Sequence, residues 1–452
     1  MINFELFFQI NVNNIIFFFS IDQNNGKDPL QKTAVWRMIE ARRIMPQTIK
    51  GKDEGAMEEK WTQTAKELED ALLEMSRTIH QNPELGFEEH KAQALCTDLL
   101  EKEGFSVEKG TGGIETAFKA RFPLGNGQGP RVAFLAEYDC LPGLGHACGH
   151  NLIAGAAVGA GILLRRLAGD VNGEVVVMGT PAEEGGGGKV IMLENGAFDD
   201  VNYAIMMHPS TENLVGRGGR ATVKFDIAFH GKGCHSAGPE KGINALNAVI
   251  LLFNAIDNLR PLLPTDTNIN GVILDGGKAC NVIPDYAHAQ FSVRVRTQAE
   301  GEVVMEHLRR VIQGVEQLTG ARAEYVLEPG YAERYPNDHI EREIQKTLEE
   351  LGEEVERAPL MGRYGSSDIG NVTLKMPAVH TYFKIAPKGV ASHTPEFEKA
   401  SDTPYAYEQM MKAALAMARA GSRILSDGEF RSQVDEEFAQ QAKAREEAKK
   451  QA

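Results

Sequence analysis

Positive charge is in deficit along this chain: 48 Lys and Arg stand against 63 Asp and Glu, a formal net charge of −15. It shows no clustered basic face of the kind that phosphate backbones or anionic bilayers attract, which argues against nucleic-acid and membrane-surface roles and leaves small-molecule chemistry. Cysteine is also scarce. Cys96, Cys140, Cys148, Cys234 and Cys280 are odd in number and irregularly spaced, which suits a reducing compartment, the cytoplasm, better than a disulfide framework. Long apolar runs are missing from the start of the chain. In MINFELFFQINVNNIIFFFS the longest run, Ile15 to Phe19, is far short of the roughly 18 to 20 residues that span a bilayer, and no basic stretch opens a secretory signal. No membrane anchor is expected. Residues 1–56 read as a poorly defined extension, with a regular helical pattern, and the expected true start, near Met57.

What is present fits an enzyme of two domains, since 452 residues exceed the size at which a single core stops growing. GHACGHNLIAG puts Cys148 and His150 two positions apart in a glycine-rich loop, where a thiolate and an imidazole can converge on one transition-metal ion. Glu183 and Glu184 in GTPAEEGGGG, His208 in IMMHPS and His393 in ASHTPEF each lie in a turn-like context beside an apolar run. A Glu-Glu pair between a buried strand and four glycines is not an ordinary pair of solvated acids.

Trp61, Leu68, Leu72, Met75 and Ile79 fall at helical spacing, and a second helix is expected over about Glu88 to Glu103, ending at Gly104. Arg131 to Glu137, Glu174 to Gly179 and Tyr203 to Met207 are continuous apolar runs of the kind found in parallel strands buried on both faces, with a helix over Asn151 to Leu167 between the first two. Asp139, Glu183, Glu184 and His208 are each placed just past the end of such a strand, where open α/β sheets bind ligands. From Gly219 the order becomes β-α-β-β-α-β, a ferredoxin-like split motif inserted over residues 219–329. The expected organisation is an α/β fold with a mostly parallel sheet flanked by helices, in a catalytic metal-binding domain over 57–218 and 330–426. A solvated, charged helical tail is expected over 427–452.

HQNPELGFEEH, AEYDCLPGLGHACGHN, PAEEGGGG, GCHSAGPEKGINA, NVIP, GSSDIGN and SHTPEF together resemble the co-catalytic metallopeptidases that include aminoacylases, carboxypeptidase G and auxin-conjugate amidohydrolases. The resemblance runs from about Met57 to Arg423 and is greatest to the p-aminobenzoyl-glutamate hydrolase and dipeptidase-like branch. It implies a zinc-peptidase-like catalytic domain, an inserted dimerisation domain and a homodimer. It further implies two divalent ions, Zn²⁺ or Mn²⁺, held by Cys148, His150, Glu184, His208 and His393. Asp139 matches a residue that orients a ligand, and Glu183 matches the general base. His235 matches a histidine that reaches a neighbouring subunit's site to polarise the scissile carbonyl. Asn281, Arg294 and His380 match or border substrate-binding positions, with Arg296 close to Arg294. Glu137 stands where other branches carry a metal-binding His, with His150 in its place. The implied activity is hydrolysis of the amide bond of a small N-acyl amino acid or dipeptide-like substrate bearing a free carboxylate.

Two other classes compete. GGGGK at Gly185 to Lys189 invites a phosphate-loop reading, but Glu183 occupies the position of the loop's first Gly and no Ser or Thr follows Lys189. A catalytically silent binding protein on the same fold is the second, and the presence of every matched ligand and of the base argues against it.

Overall fold

The computed structural model describes residues 6–12, 15–21 and 52–449, and separates into two compact units, Met1–Lys60 and Trp61–Ala452. In the first, β1 (Leu6–Val12) and β2 (Ile15–Ile21) pair as an antiparallel hairpin. Its remaining residues up to 51 lie outside the described ones.

The elements that follow are α1 (Lys52–Gln81), α2 (His90–Lys102), β3 (Ser106–Lys109), β4 (Phe118–Leu124), β5 (Arg131–Ala136), α3 (His150–Leu167), β6 (Gly173–Gly179), α4 (Gly188–Glu194), β7 (Tyr203–Ser210) and β8 (Leu214–Val215). Then come β9 (Ala221–His230), β10 (Cys234–His235), α5 (Ala245–Leu259), β11 (Asn268–Asp275), β12 (Val282–Ile283), β13 (Tyr286–Val295), α6 (Gln298–Thr319) and β14 (Arg322–Pro329). The chain closes with α7 (Asp338–Glu350), β15 (Glu356–Arg357), α8 (Ile369–Lys375), β16 (Ala378–Lys384), α9 (Pro395–Ala400), α10 (Pro404–Ser426) and α11 (Gly428–Lys449).

Eight strands form the larger sheet in the order β15-β8-β16-β7-β5-β6-β4-β3. Its centre, β16-β7-β5-β6, is parallel. Alternation along these apolar runs feeds two cores. Val132, Phe134 and Ala136 join Val175, Val177, Ile205 and Met207 under α1, α3 and α10. Ala133, Leu135, Val176, Met178, Ala204 and Met206 pack on the other face against Met192 of α4 and Ile369 and Val372 of α8. Both faces are therefore covered, and the strand sequences need no polar alternate. A Cβ at Gly155 would lie 2.2 Å from Met410 Sδ, so the glycine lets α3 approach α10 closely.

The smaller sheet, β11-β13-β9-β14, is antiparallel throughout. With α5 and α6 it reproduces the β-α-β-β-α-β order, and the helices bury Val223, Phe225, Ile227 and Phe229 on one face of β9. Edge strand β11 presents Val272, Ile273 and Leu274 to solvent.

Two expectations are corrected. β7 continues through Ser210 because β16 pairs with it as far as Lys384, so His208 lies within the strand and not past its end. The C-terminal segment is helical but not merely solvated. Phe430 and Val434 of α11 are buried in the main core, Asn337 Nδ2 donates to Val434 O at 3.0 Å, and Tyr203 OH donates to Asp435 Oδ1 at 2.8 Å.

Candidate metal centre and active site

Three sheet strands converge on one cavity. Asp139 follows β5, Glu183 and Glu184 follow β6, and His208 sits near the end of β7. The turn after β6 is strained where it delivers the two glutamates: Ala182 has φ 56°, a left-handed conformation that disfavours an L-residue by about 1–2 kcal/mol. Glu89 holds it there. Its Oε1 accepts the Ala182 N–H at 2.8 Å and its Oε2 accepts Thr116 Oγ1 at 2.7 Å. Four glycines then let the chain fold back on itself; a Cβ on Gly188 would sit 1.8 Å from Pro181 O. Gly188→Ala should therefore destabilise the protein by about 1–3 kcal/mol or more despite alanine's better helix propensity, a loss that urea unfolding will show as a lower midpoint.

Among the described residues the ligand candidates gather in overlapping groups whose ligand atoms lie within 4.8 Å of one another: Cys148 with Glu184 and His393, Glu137 with His150 and His208, and two that include Glu183, one with His150 and Glu184 and one with Glu137 and Asp368. In the first, Cys148 Sγ donates to Glu184 Oε1 at 2.6 Å and His393 Nε2 is 3.6 Å from the same oxygen. His393 also takes a left-handed backbone, φ 63°. In the second, His150 Nε2 lies 3.5 Å from Glu137 Oε2. Asp139 links the groups: its Oδ1 is 3.0 Å from His150 Nδ1 and its Oδ2 accepts the Glu184 N–H at 2.9 Å.

The electrostatics suit a bound cation. Burial disfavours a charged His150, yet Asp139, Glu137 and Glu184 together hold its pKa up at about 10, and a field that favours a proton at this imidazole favours any cation there. Burial, and then His150, lower His208 to about 4, leaving it a neutral donor. Its Nδ1 hydrogen-bonds Pro209 O at 2.7 Å. Burial and Glu184 push the Cys148 thiol upward; a divalent ion would reverse this by holding the thiolate. Glu137 Oε2 and His150 Nε2 are buried without hydrogen-bond partners. Thiolate, imidazole and carboxylate donors around two orphaned buried atoms fit divalent transition-metal ions.

Glu183 borders the cavity, its carboxyl raised well above the usual range by burial and by Glu137, Asp368 and Glu184. Tyr331 OH anchors its backbone carbonyl at 3.0 Å. Behind it, Lys189 is fully buried, donating from Nζ to Glu137 Oε1 at 2.5 Å and to Asp368 Oδ1 at 2.8 Å. The final Lys of GGGGK is thus a counter-cation inside the site.

The cavity measures about 680 Å³ and extends from Cys148, Glu183, Glu184, His208 and His393 to Arg217, Arg294, Arg334, His380 and Tyr382. Arg294 contacts Ser366 Oγ at 3.4 Å, whereas Arg296 is paired with Glu300 at 2.5 Å. Arg217 stacks over Tyr364 and Tyr382, 4.7 and 4.6 Å from the ring centroids. Arg334 donates to His380 Nδ1, to Tyr382 OH and to Gly218 O. Among the described residues no carboxylate lies within ion-pair distance of Arg217, Arg294 or Arg334. His235 and Asn281 are not on this cavity wall. His235 lies on the small β10–β12 ribbon and Asn281 in the turn just before β12, both exposed, with His235 Nδ1 accepting the Ala237 N–H at 3.0 Å and Asn281 O accepting the Ser236 N–H at 3.0 Å. Lys189, Glu89, Arg217 and Arg334 are not legible as site residues in the sequence, although GGGGK and FEEH mark two of them.

Residues 215–316 match a peptidase dimerisation domain. The chain is 34% identical over 388 residues to the Xaa-Arg dipeptidase of Mus musculus, covering 82% of this chain and 90% of that one. It is 29% identical over 296 residues to a p-aminobenzoyl-glutamate hydrolase chain of Escherichia coli, covering 61% of each. Among solved structures, a dinuclear metal-binding peptidase of the M20 family from Bacillus subtilis shares the fold at a TM-score of 0.61 and 24% identity, over 80% of this chain and 99% of that one. The aminobenzoyl-glutamate utilization protein of Klebsiella pneumoniae does so at 0.64 and 21%, over 81% and 99%. The chain belongs to the M20 family of metal-dependent peptidases and amidohydrolases, enzymes that hydrolyse C–N amide bonds.

Proposed function

We propose that the protein hydrolyses the amide bond of a small N-acyl amino acid or dipeptide-like substrate with a free carboxylate, aminobenzoyl-glutamate-like or β-alanyl-dipeptide-like. The observation that carries this is one cavity lined by Cys148, Glu183, Glu184, His208 and His393 at one end, with His150 and Glu137 buried beside His208, and by Arg217 and Arg294, without carboxylate partners, at the other. Relatives named as a dipeptidase and as an aminobenzoyl-glutamate hydrolase support the two substrate types.

In this reading Cys148, His150, Glu184, His208 and His393 hold two divalent ions, Zn²⁺ or Mn²⁺. When bound, such ions polarise the carbonyl and lower the pKa of water. Asp139 orients His150 and the Glu184 backbone. Glu183 takes the proton of the attacking water and passes it to the leaving amine, a duty suited to a carboxyl whose pKa is raised. Arg294 binds the substrate carboxylate through its planar fork, and His380 lines the same pocket. Residues 57–218 and 330–426 form the catalytic domain, and residues 219–329 form a dimerisation domain. The exposed β11 edge supports a homodimer, in which His235 and Asn281 serve the partner's cavity, with His235 stabilising the developing oxyanion.

A panel of acyl-amino acids and dipeptides, each assayed with its free and its amidated carboxylate, tests this. Only the free acids should turn over. Arg294→Ala should lower kcat/KM by about 10-fold to about 100-fold, the range of one charged hydrogen bond, mainly through KM. Equal turnover of free and amidated substrates would overturn the carboxylate requirement.

A further inference from the structure

We propose that Glu137 is a further metal ligand, the third donor beside His150 and His208, and that Lys189 is the positioning residue that aims it. The inference rests on the metal reading above but adds a residue outside its ligand set. Glu137 is completely buried at the end of β5, and its two oxygens have different fates. Oε1 is pinned by Lys189 Nζ at 2.5 Å. Oε2 is turned toward His150 Nε2 at 3.5 Å, and neither atom has a hydrogen-bond partner.

His150 and His208 each engage a backbone or carboxylate oxygen through Nδ1. With the proton on Nδ1, each presents the lone pair of Nε2. A carboxylate oxygen and an imidazole lone pair that face each other in a dry interior repel unless a cation, either a proton on Nε2 or a metal ion, stands between them. A proton can serve only the His150–Glu137 pair, whereas a metal ion can also be shared with His208, and the grouping of these three residues provides the donors.

Lys189 has little freedom to do anything else. Asp368 accepts its backbone N–H at 2.9 Å through Oδ2 and its Nζ at 2.8 Å through Oδ1. The ammonium is therefore clamped from the far side, and it meets Glu137 at a set angle. One pinned oxygen and one open oxygen are what a monodentate ligand requires, and outer contacts of this kind commonly set the affinity of a metal site.

The experiment is a metal titration of the full chain with Zn²⁺, followed by calorimetry, and with Co²⁺, followed by absorption, where thiolate charge transfer reports the Cys148 group. The wild type should hold about two ions. Glu137→Gln should keep the thiolate signal and weaken the other ion at least about tenfold, as His208→Ala should. Wild-type affinity for both ions in Glu137→Gln would overturn the ligand assignment. Lys189→Gln, which keeps a donor but removes the charge, should weaken the same ion; unchanged affinity would remove Lys189 from the proposal. Should Glu137→Gln fail to fold, Glu137→Asp, which keeps a charge for Lys189 but draws the open oxygen back by one methylene, carries the same test. A wild type that binds no ion would instead overturn the metal reading itself.

Discussion

Glu183→Gln should lower kcat by about 10² to 10⁴-fold, the usual contribution of a general base, with metal content and melting temperature unchanged. The amide has the shape of the carboxylate but cannot accept the proton. The Cys148–Glu184–His393 and Glu137–His150–His208 groups are complete without Glu183, although it also lies within ligand distance of His150 and Glu184, and its backbone is held by Tyr331, so the loss should fall on chemistry and not on folding or metal affinity. Single-turnover rates, metal analysis and melting curves on the same preparation check this. Full activity in a folded, metal-loaded variant would end the assignment of Glu183 as base.

Lys189→Met should have the largest effect on stability. It leaves Glu137 and Asp368 buried without their shared cation, and removing one partner of a buried ion pair typically destabilises by about 3–5 kcal/mol. The deficit should depend on pH. Burial raises Asp368 to about 6 even against the pull of Lys189, and without Lys189 it rises further. An acid whose folded pKa exceeds its unfolded value near 3.8 destabilises the fold as pH climbs above that value. The variant should thus lose stability from about pH 4 upward and approach the wild type in acid. Urea unfolding at several pH values will show it, and a pH-independent deficit would point to lost packing alone.

Much of the candidate site is legible in the sequence because its donors are concentrated in short segments. Cys148 and His150 share one loop, and Glu183 and Glu184 are adjacent. The residues that are not legible depend on partners remote along the chain. Lys189 meets Glu137 across 52 positions and Asp368 across 179, and GGGGK by itself says nothing about either. Glu89 reads as one acid among several in GFEEH until it is seen holding the strained Ala182 N–H. The C-terminal segment reads as solvated because its charges outnumber its apolar residues, yet Phe430 and Val434 suffice to dock it.

By itself the sequence determined the alternation that fills two cores around a parallel sheet, the split β-α-β-β-α-β order, and the loops in which donors of the right chemistry stand. These follow from local periodicity and glycine content, which act over a few residues. Only the tertiary structure decided which donors share an ion-sized space, that Arg294 rather than Arg296 faces the cavity, and that a buried lysine balances the acids behind Glu183. Those outcomes depend on strand order and loop closure, which bring together charges that the chain keeps far apart.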